Sequence, residues 1–206
     1  MKTMLIETPV HGRVLFLAHE PSRLLVSFHG YAETAEANLE QIQAIPRIGE
    51  WSLAAVQALH PFYTRSGAVV ASWMTSLDRE DAIADNLIYV RNVVSALPVA
   101  ATVVFAGFSQ GAAMAARAAA QLKPAAGLIL LGGDIPPEVK ADSSVEMPPT
   151  LIGRGTRDEW YTTEKFKNDL SFLEPRTVVT RCEFEGGHEW TSEFRDAAAE
   201  FLDALR

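Results

Sequence analysis

A single cysteine, Cys182, stands among 206 residues. No disulfide can close within the chain, and no cysteine-rich zinc site can be built. The residue falls in an expected strand, where a small thiol packs as a hydrophobe and stays inert. Histidines number five, and no cluster of potential ligands has metal-binding spacing. No metal is therefore expected. Positive charge is also scarce: 18 Lys and Arg face 26 Asp and Glu, a net charge of −8. That balance argues against a nucleic-acid backbone or an anionic membrane surface as partner. No apolar run approaches a membrane span. The opening apolar stretch, Met4-Leu5-Ile6, is cut by Glu7 and is too short for a secretory core. Cytoplasmic residence is the expectation. Internal repeats, low-complexity runs and linkers are missing too, so one domain, 1–206, is expected.

What is present is alternation. Hydrophobic residues make up 48% and charged ones 21%, the balance of a globular protein with a sizeable core. Strand-like and helix-like segments alternate, which predicts a mostly parallel sheet flanked by helices. An opening pair, Met4–Glu7 and Arg13–Ala18, reads as an antiparallel hairpin. Strands are expected at Leu24–Phe28, Leu53–Leu59, Ala101–Phe105, Ala126–Leu131, Thr150–Gly153 and Thr177–Phe184. Helices are expected at Glu33–Ala44, Ala112–Leu122, Trp160–Leu173 and Trp190–Leu205. The clearest helix is Asp78–Leu97, where Ile83, Leu87, Val90, Val94 and Leu97 recur at spacings of four and three. Gly132–Pro149, rich in Pro, Gly and Asp, reads as a surface loop.

One motif sits where this alternation gives it meaning. Gly107-Phe108-Ser109-Gln110-Gly111 follows an apolar, β-branched run and precedes an alanine-rich helix. A G-x-S-x-G pattern at a strand-to-helix turn is the context of a nucleophile elbow, which lifts the serine hydroxyl above the sheet edge. A serine hydroxyl is a weak nucleophile at neutral pH and needs a base, itself oriented by an acid. Catalytic groups collect at the carboxyl ends of parallel strands. Of the histidines, His188 alone lies between the last strand and the last helix, in Glu185-Gly186-Gly187-His188-Glu189, and is expected to be the base. Asp158, closing the loop after the Thr150–Gly153 strand, is expected to be the acid, ahead of its rivals Asp134 and Glu159. Two backbone N–H groups should bind the oxyanion. One belongs to Gln110, at the start of its helix; the other lies in the His29-Gly30-Tyr31 loop after the Leu24–Phe28 strand.

Phe28-His29-Gly30-Tyr31, Gly107-Phe108-Ser109-Gln110-Gly111, Gly155-Thr156-Arg157-Asp158 and Gly187-His188-Glu189 together resemble the phospholipase/carboxylesterase family of α/β-hydrolases. Gly132-Gly133-Asp134-Ile135-Pro136 resembles another loop of that family, and the likeness spans nearly the whole chain. It implies an α/β-hydrolase fold without a cap domain. It also implies a cofactor-free serine hydrolase acting on a small-molecule carboxylic ester. Ser109 would be nucleophile, Asp158 orienting acid and His188 base, with oxyanion N–H groups from Tyr31 and Gln110. Trp73, Trp160 and Trp190, near expected loops, are candidates to wall the acyl pocket. Two departures stand out. Tyr31-Ala32 replaces the x-Gly of an H-G-x-G loop, and Ser72-Trp73-Met74 stands where relatives often carry Trp-Phe-Asp. With no segment long enough for a helical lid, short esters are the expected substrates. The alternatives are an acyl-protein or acyl-CoA thioesterase, a lysophospholipase, or a non-catalytic binder of small ligands. Oligomeric state leaves no trace in the sequence.

Overall fold

A computed structural model describes residues 2–19, 22–122 and 125–205. In chain order its elements are β1 (Arg13–Leu17), β2 (Arg23–Phe28), α1 (Ala35–Gln43), β3 (Ser52–Gln57), β4 (His60–Tyr63), β5 (Val69–Ser72) and α2 (Arg79–Ala96). Then come β6 (Thr102–Phe108), α3 (Gln110–Gln121), β7 (Gly127–Leu131), α4 (Pro137–Ala141), β8 (Thr150–Gly155), α5 (Thr163–Leu173), β9 (Val179–Phe184) and α6 (Ser192–Ala204). Seven strands form one sheet in the order β1-β3-β2-β6-β7-β8-β9. Only β1 runs antiparallel to its neighbour. The mostly parallel sheet flanked by helices is the architecture expected.

Central strands read as unbroken apolar runs because both faces are covered. Along β2, Leu24, Val26 and Phe28 enter one core cluster, while Leu25 enters the other. The first cluster takes in Val90 and Val93 of α2, Met114 of α3, and Phe166 and Leu170 of α5. Ile42 of α1 and Phe194, Ala198 and Phe201 of α6 fill the second. On α3, Ala112, Ala115, Ala116 and Ala119 are all buried. Small side chains let this helix lie close to the sheet, and it is the helix that follows Ser109. Threonines cap three helices: Thr34, Thr162 and Thr191 accept N–H groups of Ala37, Lys165 and Phe194.

Several expectations need correction. Met4–Glu7 forms no strand; its Met4, Leu5 and Ile6 are exposed. β1 pairs instead with β3, Arg13 opposite Gln57 through Leu17 opposite Leu53, so the main sheet supplies the partner that a local hairpin would have supplied. The β4–β5 hairpin was not foreseen, because each strand has four residues and one contains Pro61. The Gly132–Pro149 loop holds the short α4, opened by Pro137. α5 starts at Thr163 rather than Trp160, since the N–H groups of Trp160 and Tyr161 are taken by Asp158 Oδ1. Cys182 is half-buried, and burial pushes its thiol up to about 11.

Candidate active site

Between the last residue of β6 and the first of α3 stands Ser109 alone, at φ 54° and ψ −120°. That conformation is costly for a residue with a side chain and persists only when its surroundings enforce it. The enforcement is visible. Ser109 N–H donates to Leu131 O of β7 at 2.9 Å. A Cβ on Gly107 would stand 2.2 Å from Gly111 O, and one on Gly111 would stand 2.1 Å from Phe28 O. Only glycine lets strand, turn and helix close so tightly.

The loops after β8 and β9 bring Asp158 and His188 together, Nδ1 of the imidazole 2.8 Å from Oδ2 of the carboxylate. Asp158 Oδ1 accepts the backbone N–H groups of Trp160 at 2.9 Å and Tyr161 at 2.8 Å. Its side chain is 1% exposed and that of His188 is 22% exposed. The acid is sealed and the imidazole reaches solvent. The imidazole packs on Phe108, ring centres 4.8 Å apart, and a Cβ on Gly132 would lie 3.1 Å from its Cε1. His188 therefore lies over the turn that carries Ser109. Neither Asp134 nor Glu159 bonds to the imidazole; both are exposed.

Across the turn, the His29-Gly30-Tyr31 loop is held from three directions. His29 is fully buried. Its Nε2 accepts from Ala58 N–H at 3.0 Å, leaving Nδ1 to donate to Gly30 O at 2.7 Å. Burial lowers its pKa. Trp73 Nε1 donates to His29 O at 2.8 Å, and Ala32 N–H donates to Ala71 O of β5 at 3.0 Å. Glu33 accepts Gly30 N–H on Oε2 at 2.7 Å. Burial raises the carboxyl of Glu33, while the Gly30 bond and the charge of His188 oppose the rise. On the other donor-bearing segment, Gln110 Oε1 accepts from Trp73 N–H at 2.9 Å and Nε2 donates to Met74 O at 2.9 Å. Among the described residues, no hydrogen bond engages the backbone N–H of Tyr31 or of Gln110.

A cleft of about 240 Å³ opens beside Ser109, bounded by Met74, Arg79, Gly133, Trp160 and Lys165. Of the three expected tryptophans, Trp160 lines it. Trp73 is fully buried with its N–H committed to the His29 carbonyl, and Trp190 packs against Phe108 and Phe194. Among the described residues there is no group of three or more His, Cys, Asp or Glu able to hold a metal ion. No helix among them is long and apolar enough to cross a membrane.

Over residues 17–205 the sequence matches the model of the family described as Phospholipase/Carboxylesterase. The chain belongs to this family. Solved structures bear out its α/β-hydrolase fold. Esterase PE8 superposes with a TM-score of 0.77 at 20% identity, covering 96% of this chain and 100% of that one. The Bacillus cereus carboxylesterase gives 0.71 at 16%, with 95% of each chain covered. Acyl-protein thioesterase 2 of Zea mays gives 0.70 at 17%, covering 95% of this chain and 99% of that one. A comparison of the sequence with curated proteins finds no match.

Within this phospholipase/carboxylesterase family chain, the H-G-x-G departure leaves a physical trace. Ala32 holds φ 59°, a left-handed conformation that glycine would take without cost. Contacts to Ala71 on one side and Glu33 on the other hold the loop in place. Glu33, Arg79 and Lys165 escaped the sequence reading. An acid three residues beyond Gly30 was the one available signal for Glu33; nothing local marks the two cations, which reach the cleft from α2 and α5.

Proposed function

We propose that this chain is a serine carboxylesterase that cleaves small esters through an acyl-enzyme. The observation that carries this reading is Ser109, held at positive φ next to Phe108, on whose ring packs an imidazole with its Nδ1 fixed on a buried carboxylate. With Nδ1–H donated to Asp158, Nε2 is left free to take a proton. Ser109 Oγ attacks the ester carbonyl as its proton passes to His188 Nε2, and Asp158 stabilises the imidazolium. The oxyanion forms against the N–H groups of Tyr31 and Gln110, which have no competing acceptor among the described residues. His188 then protonates the leaving alkoxide. In the second half, His188 takes a proton from water, whose oxygen attacks the acyl carbon; collapse returns the proton to Ser109 and frees the acid.

Cleft size supports short acyl groups, since about 240 Å³ lies below the range of roughly 300–1,000 Å³ typical of drug-sized ligand sites. A thioester would traverse the same intermediates, so leaving-group atom does not separate ester from thioester cleavage. The test is labelling by a fluorophosphonate together with hydrolysis of 4-nitrophenyl esters from acetyl to palmitoyl. Ser109 should be the labelled residue, and kcat/KM should level or fall after the first few carbons. In Ser109→Ala, folded by circular dichroism, kcat should drop by about 10⁵-fold or more. Activity within tenfold of the parent would sink the assignment.

A further inference from the structure

The two flanks of Ser109 differ in charge. On the oxyanion-loop flank sits the carboxyl of Glu33, whose Oε2 is turned to Gly30 N–H. On the cleft flank stand Arg79, Arg117 and Lys165, with Asp134 the one carboxylate among the lining residues. Arg117 is closed on itself: its Nε donates to Glu138 Oε1 at 2.7 Å, and its Nη1 faces the sulfurs of Met74 and Met114. Its Nη2 is buried 2.6 Å from the same Glu138 oxygen, but at an angle that makes no hydrogen bond. Arg79 and Lys165 are exposed. Lys165 Nζ spends one donor on Trp160 O at 3.0 Å. Among the described residues, neither side chain pairs with a carboxylate. In a chain of net charge −8, two exposed cations without a carboxylate partner line this one small cleft. Arg117, buried and ion-paired with Glu138, adds little net charge, so the positive field at the cleft is that of Arg79 and Lys165.

Resting on the esterase reading above, we propose that the ester taken by this cleft carries an anionic group, a carboxylate or phosphate, seated between Arg79 and Lys165. An uncharged alkyl chain leaves both cations without a counter-charge and meets few apolar walls beyond Met74, Ala113 and Trp160. An anion a few atoms from the scissile carbonyl meets both, and the Glu33 carboxyl discourages the reversed orientation.

Two matched pairs test this and separate the sources of charge. For the acyl side, 4-nitrophenyl hemiglutarate is compared with 4-nitrophenyl pentanoate. For the alcohol side, butyryl glycerol 3-phosphate is compared with monobutyrin. In at least one pair, kcat/KM for the anionic member should exceed the neutral one by about tenfold or more at low salt. The preference should shrink as ionic strength rises and approach unity in Arg79→Gln/Lys165→Gln. Because the ratio is taken within each protein, a general loss of activity cancels. A ratio at or below one in both pairs overturns the proposal, as does a ratio untouched by the double substitution. With Ser109 labelled by fluorophosphonate, either result leaves the esterase reading standing. Binding of glutarate and glycerol 3-phosphate to Ser109→Ala, followed by calorimetry, supplies a readout without turnover. One of them should bind, and the same double substitution should weaken it about tenfold or more; no binding of either, with no turnover preference, overturns the proposal.

Discussion

Asp158 and Glu33 each hold a loop against Ser109, and their surroundings differ in an instructive way. Asp158 is sealed from solvent and uses both oxygens: one takes two backbone N–H groups, the other takes His188. Glu33 is half-buried and takes a single N–H, from Gly30. One donor does not replace the lost hydration, so burial raises the Glu33 carboxyl. The comparison teaches that a carboxylate facing the proposed base must bring its own donors, whereas one that only pins a loop can do so in either protonation state.

The largest break in this comparison is Asp158→Asn. It should lower kcat by roughly 10³–10⁴, because the amide favours the wrong imidazole tautomer. Asp134→Asn and Glu159→Gln, neither touching His188, should cost less than about tenfold; a larger loss in Asp134→Asn would put the acid on the wrong loop. Next comes Glu33. Glu33→Ala should lower kcat by about 10–10², less than loss of an oxyanion donor outright, with KM little changed. Glu33→Gln should recover to within a few-fold of the parent, since its amide oxygen accepts the same N–H. If the two variants fall equally, charge rather than the Gly30 bond is what matters.

A smaller effect sharpens the contrast through pH. Because the folded state raises the Glu33 pKa, it holds the proton longer than the unfolded chain does. The group's share of stability is present below the ordinary carboxylate range and is lost as pH rises through the folded pKa. The slope is below the one-proton limit of about 1.4 kcal/mol per pH unit, and solvent access reduces it further. Denaturant melts of the parent and of Glu33→Gln should diverge along that limb only. The smallest effect concerns His29, whose lowered pKa acts with the opposite sign: its share is present above the ordinary value of about 6.5 and is lost as pH falls from there through the lowered folded pKa. Nitrogen-detected NMR should show an Nδ1–H tautomer at His29 that stays neutral where exposed histidines titrate.

Local chemistry made much of this molecule legible in sequence. The elbow announces itself because two glycines, a strand and an alanine-rich helix must coincide for Ser109 to sit where it does. His188 and Asp158 are read from strand order together with the glycine-bearing loops that carry them, Asp158 ahead of Asp134 and Glu159. What escaped depends on contacts between distant segments. Trp73 gave no sign that it would turn inward to His29, 44 residues away in sequence. Arg79 and Lys165 look like ordinary helical surface charges until α2 and α5 are set beside the same cleft. The opening hairpin does not form, because period alone cannot say which edge the Arg13–Leu17 strand will join; β3 offers a better partner than Met4–Glu7.

Strand β5 reaches both halves of the proposed oxyanion site. Its Ala71 exchanges hydrogen bonds with Ala32 and Glu33, and the residues just beyond, Trp73 and Met74, grip the Gln110 amide. A stretch of four residues thus works like a pair of callipers, setting the gap between two N–H groups that belong to segments about eighty positions apart in sequence. The gap is gauged from outside the main sheet. Under the proposed function, editing the β4–β5 hairpin, far from Ser109 in sequence, should retune the rate while the sheet that carries the serine is left as it is.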